Sequence, residues 1–280
     1  MITYNHENYI RDAIEGILFQ KCDFHFDIVI GEDCSTDNTR EILLKYQSKY
    51  PGKFKLLLHN NNIGAVKNQI TTLEACHGKY IAICEGDDYW TDPYKLQKQV
   101  DLLEANNQLS GCFHNSEERF SDDYSKSSFL YLNLPSSREI TLNDVCFENL
   151  IPTASIVFRN IRQDELTSSL FRMIPIGDWP LHLLNLRFGN YFYLPNVMSV
   201  HRLHSQSTWA MKSQNSNVTK VILAYDLLIN SGWFSNEVVI LLKKGKDNLL
   251  KNHFVHDYTF FQRVKSMILK KIILFLQKYI

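Results

Sequence analysis

The feature that most limits what this chain can become lies in its first ninety residues, where short apolar runs alternate with polar loops and helix-period segments. Met1-Ile2-Thr3-Tyr4 reads as the end of a buried strand, and the polar run Asn5-His6-Glu7-Asn8 follows it. Residues 9–20 place Ile10, Ala13, Ile14, Ile17 and Leu18 on one helical face. Residues 26–30 form a second strand, which opens into the polar loop 31–39 and then a helix over 40–49, with N-cap candidates among Ser35 to Asn38. Residues 54–58 form a third strand, Asn60-Asn61-Asn62-Ile63-Gly64 a turn, and 65–76 a helix stopped by His77-Gly78. A fourth strand over 80–84 runs straight into Glu85-Gly86-Asp87-Asp88-Tyr89-Trp90. Three strand–loop–helix units predict an open α/β sheet, whose ligands bind at the carboxyl ends of the strands. The polar loops are therefore expected to share one crevice.

Composition narrows the class. At 280 residues the chain holds about two domains of ~150 residues, or one large domain with an appendage. Its 45% hydrophobic content supports a sizeable core and excludes disordered and collagen-like chains. Thirty Lys/Arg against thirty Asp/Glu leave no charge bias toward nucleic acid. Six cysteines lack any C-x-x-C pair, which suits a reduced, intracellular chain with thiols used as small core residues. No amino-terminal signal pattern is present, and the run 272–276 is far short of the ~20 apolar residues of a membrane span.

Glu85-Gly86-Asp87-Asp88 carries the most chemistry. Three carboxylates within four residues repel one another unless something positive lies between them. A hard divalent cation, Mg²⁺ or Mn²⁺, answers that need and commonly bridges substrate phosphates; the competing reading is an acidic surface turn. The strand-end position favours the metal. Asp33 follows the second strand and borders the same crevice, where a carboxylate can accept the ring N–H of a base. After the third strand, Gly64 lets the backbone approach a ligand and Lys67 can meet a phosphate, though a plain turn with a solvated Lys fits equally.

Thr3-Tyr4-Asn5-His6-Glu7, Glu32-Asp33-Cys34-Ser35-Thr36-Asp37-Asn38-Thr39 and Glu85-Gly86-Asp87-Asp88, in that order and spacing, resemble family 2 glycosyltransferases of the GT-A fold. The resemblance implies a Rossmann-like mixed α/β sheet with helices on both faces. It implies inverting transfer from a nucleotide-diphospho-sugar, usually a UDP-sugar, to an acceptor hydroxyl, in cell-surface polysaccharide or glycan synthesis. By this likeness Thr3, Tyr4, Asn5, Glu7, Asp33, Asn62, Gly64, Lys67, Asn68 and Asp87 hold the sugar nucleotide. Asp87, Glu85 and Asp88 hold the metal. Ile176-Gly177-Asp178-Trp179-Pro180 resembles the family's later acidic motif, which makes Asp178 the general base. Val200-His201-Arg202-Leu203-His204 is similar to the segment that folds over the diphosphate, with Arg202 offsetting charge and His204 a further metal ligand. Trp90, Trp179, Thr153 and Ser155 are the acceptor candidates, and Trp209 is a further sugar-stacking candidate.

Glu85 stands where the family more often has Asp, the segment from Gly64 to Asn68 is shorter than the usual form, and Met1 falls inside the first strand. The expected organisation is a catalytic domain over 1–215, with a nucleotide-sugar half to about residue 100 and an acceptor half after it. Residues 119–137 read as a loose connection. A helical extension over 216–280 completes the chain. Residues 243–280 carry nine Lys/Arg against Asp247 and Asp257. Phe260, Phe261, Val264, Ile268, Ile272, Phe275 and Tyr279 recur at helical spacing among those charges. Such a helix lies in the headgroups of an anionic membrane through 258–280, suiting a lipid-linked sugar acceptor, or packs on the domain with its lysines reaching water. The expected location is cytoplasmic, peripheral on the inner face of the membrane in the first case. Two other classes compete: a nucleotide-sugar-binding partner subunit without turnover, which an intact Asp178 disfavours, and a metal-dependent nucleotidyltransferase, which the glycine-free loop after the first strand disfavours.

Overall fold

The computed structural model describes residues 1–122, 125–161, 164–205 and 214–254. Trp209 and the basic segment 258–280 lie outside these residues. In chain order the first half contains β1 (Ile2–Thr3), α1 (Ile10–Leu18), β2 (Ile28–Glu32), α2 (Thr39–Lys49), β3 (Phe54–Leu58), α3 (Ala65–Glu74), β4 (Tyr80–Ala82), β5 (Tyr89–Trp90) and α4 (Lys95–Ala105). There follow β6 (Gly111–Phe120), β7 (Phe129–Leu130), β8 (Arg138–Ile140), α5 (Leu142–Val145), β9 (Val157–Arg159), α6 (Asp164–Thr167), α7 (Asp178–Asn185), β10 (Tyr191–Leu203), α8 (Gln214–Ile229) and α9 (Asn236–Phe254).

Strands β1, β2 and β3 pair in parallel, as βαβ units require, with Thr3 opposite Glu32 and Glu32 opposite Leu58. The fourth strand departs from the simple expectation. β4 joins a second, mixed sheet in the order β4-β9-β6-β10-β5, with β7 added to β6 and β8 to β10. Within it β6 and β10 run parallel over most of their length, and the other pairings are antiparallel. At the end of β1, Asp33 N–H donates to Thr3 O within the parallel sheet, and Gly86 N–H, from the turn after β4 of the mixed sheet, donates to Ile2 O, both 3.0 Å. The segment expected to be a loose connection contains the end of β6 and all of β7, because pairing with β10 and β7 satisfies its backbone. The six cysteines are free thiols.

β2 also differs from expectation, running on through Gly31 and Glu32 rather than ending at Ile30. Glu32 is fully buried there because Arg40 at the start of α2 pairs with it, and Ser35 N–H donates to it at 2.6 Å. A buried carboxylate so compensated can occupy a strand position.

Two apolar cores lie behind the loops. The first joins the inner face of α1 (Ile10, Ile14, Ile17) to Ile30, Leu43, Leu103 and Cys112. The second joins Phe113, Ile140, Leu183, Tyr191 and Tyr193 to α8 and α9 through Ile222, Tyr225, Leu228 and Leu242. His182 of α7 is buried within this second region, and burial drops its pKa from the usual 6.5 to about 3. The unfolded chain takes up this proton below about 6.5 and the folded chain does not, so the contribution is intact above that pH and is lost as pH falls toward 3. Acidification from pH 7 to 5 should cost about 2 kcal/mol through this residue. Because the raised carboxyls of Glu85 and Asp88 act in the opposite sense over this range, the His182 contribution is read as a difference: a His182→Gln chain should lose less stability than the unchanged chain between pH 7 and 5 in thermal unfolding. An unchanged slope would remove the assignment.

Candidate active site

The first two loops lock together before any ligand is considered. Asn5 and Cys34 both adopt positive φ, 56° and 60°, a conformation uncommon outside glycine. Asn5 N–H donates to Ser35 Oγ (3.0 Å), His6 N–H to Thr39 Oγ1 (2.8 Å) and Glu7 N–H to Asp37 Oδ2 (3.0 Å). In return Asn5 Oδ1 accepts from Thr36 N–H (2.8 Å), and Glu7 Oε2 accepts from the Asn38 side-chain amide (2.6 Å). Asn5 and Glu7 thus shape their own loop by holding its neighbour. Tyr4 projects from it, 40% exposed.

Asp33 is buried, and its carboxylate accepts from Ile63 N–H (2.7 Å) and Gly64 N–H (3.0 Å). Its first effect is to fix the turn that contains Asn62, whose Oδ1 also accepts from Gly64 N–H at 3.1 Å. Lys67 is exposed on α3. Asn68 departs from its expected role. It is 1% exposed, its amide donates to Gly31 O (2.8 Å), and its oxygen lies 3.1 Å from His59 Nε2. It pins α3 to β2.

On the other side of β1, ligand oxygens of Glu85, Asp87 and Asp88 all lie within 4.8 Å of one another. Gly86 lets this turn seat against β1: a Cβ there would come within 2.6 Å of Thr3 Oγ1 and 2.8 Å of His6 Nδ1. Burial, then Asp87, Asp88 and Asp178, raises Glu85 well above the usual carboxylate range. Asp88 is pushed up to about 7, chiefly by burial, although Arg202 N–H donates to its Oδ1 at 2.9 Å. Burial acts upward on Asp87 as well, but His6 and His204 outweigh it and hold this carboxylate low, at about 2. His204 Nε2 lies 3.2 Å from Asp87 Oδ2 and His6 Nε2 3.6 Å. An all-oxygen set with two carboxylates driven toward protonation is the environment that a hard divalent cation relieves, so these residues fit one.

Arg202 is almost buried. It pairs with Asp12 of α1, donates to Asp87 O at 3.0 Å and lies 4.2 Å over the Tyr89 ring. It therefore anchors the acidic turn with charge already partly spent. His201, beside it, is held near 9: burial opposes the charge, and Asp88 and Glu118 more than offset this.

Asp178 is the first residue of α7. Burial raises its pKa, while N–H groups of Trp179 and its own residue, and then Asn149, act the other way. Asn149 Nδ2 donates to Asp178 Oδ2 at 2.8 Å. Its place beside the acidic turn is marked by its upward pull on Glu85. Gly177 brings this helix start against α3, where a Cβ would lie 1.8 Å from Gln69 Oε1. Asp178 thus lies close enough to the acidic turn for their charges to interact, while Asp33 is tied to the end of β1 through Thr3 O.

Three acceptor candidates are not there. Trp90 is 5% exposed, donates to Ala154 O (2.8 Å) and carries Lys95 Nζ 4.1 Å over its ring. Trp179 is 3% exposed, donates to Val145 O (2.8 Å) and packs edge-on against Tyr225. Ser155 is fully buried, with its hydroxyl on Pro152 O at 2.6 Å. Each is held by a backbone carbonyl, which makes it framework. Thr153 is half-buried in the turn beside them. His6, Asn149 and His201 were passed over as site residues. His6 lies inside the Tyr4-to-Glu7 loop and His201 inside the Val200-to-His204 segment, while Asn149 had no such signal.

The family model for Glycosyl transferase family 2 matches residues 1–164. The chain belongs to that family. Rv1520 of Mycobacterium tuberculosis H37Rv is 38% identical over 208 residues, 74% of this chain and 59% of that protein. The dTDP-rhamnosyl transferase RfbG of Shigella flexneri is 34% identical over 117 residues, 40% of this chain and 39% of that one. This family 2 chain thus spans about 59% of the length of the first curated relatives it matches. Staphylococcus aureus TarS 1–349, in complex with UDP-GlcNAc, matches with TM-score 0.65 at 19% identity, over 90% of this chain and 71% of that one. Mannosyltransferase PcManGT from Pyrobaculum calidifontis, in complex with GDP-Man and Mn²⁺, matches with TM-score 0.55 at 12% identity, over 98% and 79%. The shared fold is GT-A.

The reassignment of Asn68 is testable. Asn68→Ala leaves Gly31 O without this donor and should lower stability by about 1–3 kcal/mol, read by denaturant unfolding. Nucleotide affinity of the folded fraction should change less than about threefold, within ~0.6 kcal/mol. A large affinity loss at unchanged stability would return Asn68 to the binding surface.

Proposed function

We propose that this chain transfers a glycosyl group from a nucleotide-diphospho-sugar, a UDP-sugar first among candidates, to an acceptor hydroxyl with inversion. The observation that most supports this reading is that Asp178, outside the Glu85–Asp87–Asp88 group, is near enough to raise the Glu85 carboxyl. One carboxylate set is thereby available to the leaving diphosphate and a separate one to the attacking hydroxyl. Tyr4 and the turn held by Asp33 receive the nucleoside, and Asn5 and Glu7 keep the loop in shape. Glu85, Asp87 and Asp88, with His204 behind Asp87, would hold Mn²⁺ or Mg²⁺, which when bound supplies Lewis-acid neutralisation of the diphosphate. Asp178, oriented by Asn149 and made more basic by burial, takes the acceptor proton. The hydroxyl then attacks the anomeric carbon on the face opposite the departing diphosphate, with no covalent enzyme intermediate. That Asp178 is present and oriented supports turnover over a binding-only partner subunit.

The acceptor is a sugar or lipid-linked sugar of a surface polysaccharide in this proposal. Among the described residues no helix is long and apolar enough to cross a membrane. The basic, aromatic pattern of 258–280 supports peripheral contact with anionic lipid on the cytoplasmic side.

Thermal shift with UDP-, GDP- and dTDP-sugars, with and without Mn²⁺, tests the donor. A true donor at 100 times its Kd should stabilise the chain by about 2.7 kcal/mol. Asp87→Ala should abolish the metal-dependent part. Asp178→Asn should keep the shift and lose transfer by at least ~100-fold; near-normal turnover in that variant would refute its assignment as base.

A further inference from the structure

A second cavity opens beside the crevice. About 540 Å³ in volume, it lies between residues 132–134, which follow β7, and the stretch from β8 through α5 to Leu150. This is within the ~300–1,000 Å³ of small-molecule sites. It is joined to the reaction centre on both walls by adjacent residues. On one wall Tyr131 lies close enough to Asp178, Glu118 and Asp88 to feel their charges, and its neighbour Leu132 lines the cavity. On the other, Asn149 holds Asp178 at 2.8 Å, and its neighbour Glu148 lines the cavity.

The lining has the chemistry of sugar recognition. Phe147 is 40% exposed and offers an apolar face. Asn133 and Asn143 are exposed amides, each with both donor and acceptor. Arg138 and Asp144, paired at 3.2 Å, supply a charged donor and acceptor side by side. Mixed donors and acceptors around an aromatic face suit a ring bearing several hydroxyls. Leu134 and Leu150 add apolar surface on which the carbon faces of a ring can rest, and a phosphate would meet Asp144 and Glu148.

We infer that this cavity binds the glycosyl unit of the acceptor next to the one whose hydroxyl is glycosylated, so that acceptor length is read beside Asp178. The inference rests on the transferase reading for its placement. The shared chemistry is a neutral sugar ring, whether the acceptor is a free oligosaccharide or a lipid-linked one.

The test uses the full chain and a panel of cellobiose, maltose, chitobiose, gentiobiose and their monosaccharides, read by saturation-transfer-difference NMR. At least one disaccharide should give a signal several times that of its monosaccharide. The signal should fall at least fivefold in Phe147→Ala/Asn143→Ala, whose truncated side chains are exposed, and persist in Asp87→Ala. Absence of signal from every disaccharide, or signal unchanged in the double variant, overturns the inference. UDP-sugar thermal shifts, run on the same samples, separate the two readings: sugar binding without a donor shift would defeat the transferase reading alone. Titrating the positive disaccharide against its undecaprenyl-linked form in detergent distinguishes the acceptor sources. Equal loss for both in the double variant shows recognition of the ring. Loss for neither contradicts it.

Discussion

Everything in this site depends on the seam at the end of β1. Two backbone N–H groups, of Asp33 and Gly86, donate into consecutive carbonyls of a two-residue strand. That fixes a carboxylate-bearing loop on each side of one short segment. Without the Gly86 bond the acidic turn has no reason to stand against Thr3 and His6, and the parallel and mixed sheets have no common edge here. A Cβ at residue 86 would strike both neighbours, so the seam demands glycine in the midst of three acids.

The energetic problem created by this placement also explains its chemistry. Crowding Glu85, Asp87 and Asp88 out of water drives two of them toward protonation. Asp87 alone is held ionised, by two imidazoles, while Arg202 secures the turn through the Asp87 carbonyl and the Asp88 side chain. Positive charge from β10 thus reaches the turn mainly through backbone and buried contacts. The face toward the crevice stays acidic, and a cation placed there would relieve Glu85 and Asp88 together. Asp178 stands at the start of its own helix with Asn149 donating to its carboxylate, and burial raises its pKa.

What was legible in the sequence is what local pattern determines. The α1 face, β3 at residues 54–58 and the acidic turn after β4 all follow from periodicity and from polar runs at strand ends. The extension of β2 through Glu32 was not legible, because it depends on Arg40 arriving to compensate a buried charge. Nor was the second sheet, whose β6–β10 pairing joins residues about eighty positions apart. The tryptophans misled for a related reason. Trp90 and Trp179 sit beside acidic motifs in sequence, but their indole N–H groups find Ala154 and Val145 carbonyls, contacts that only the folded chain brings within reach. Asn149 contributes from the long-range half and carried no motif, whereas His201 stood inside the Val200-to-His204 segment.

The central claim is that loops separated by more than a hundred residues surround one cation-accepting crevice. Paramagnetic broadening by Mn²⁺ in amide NMR spectra tests it most directly. Substoichiometric Mn²⁺ should selectively erase the resonances of His6, Asp87, Trp179 and His204, and spare those of α9, such as Leu242. Broadening confined to surface acids, or spread evenly over the chain, would contradict the account.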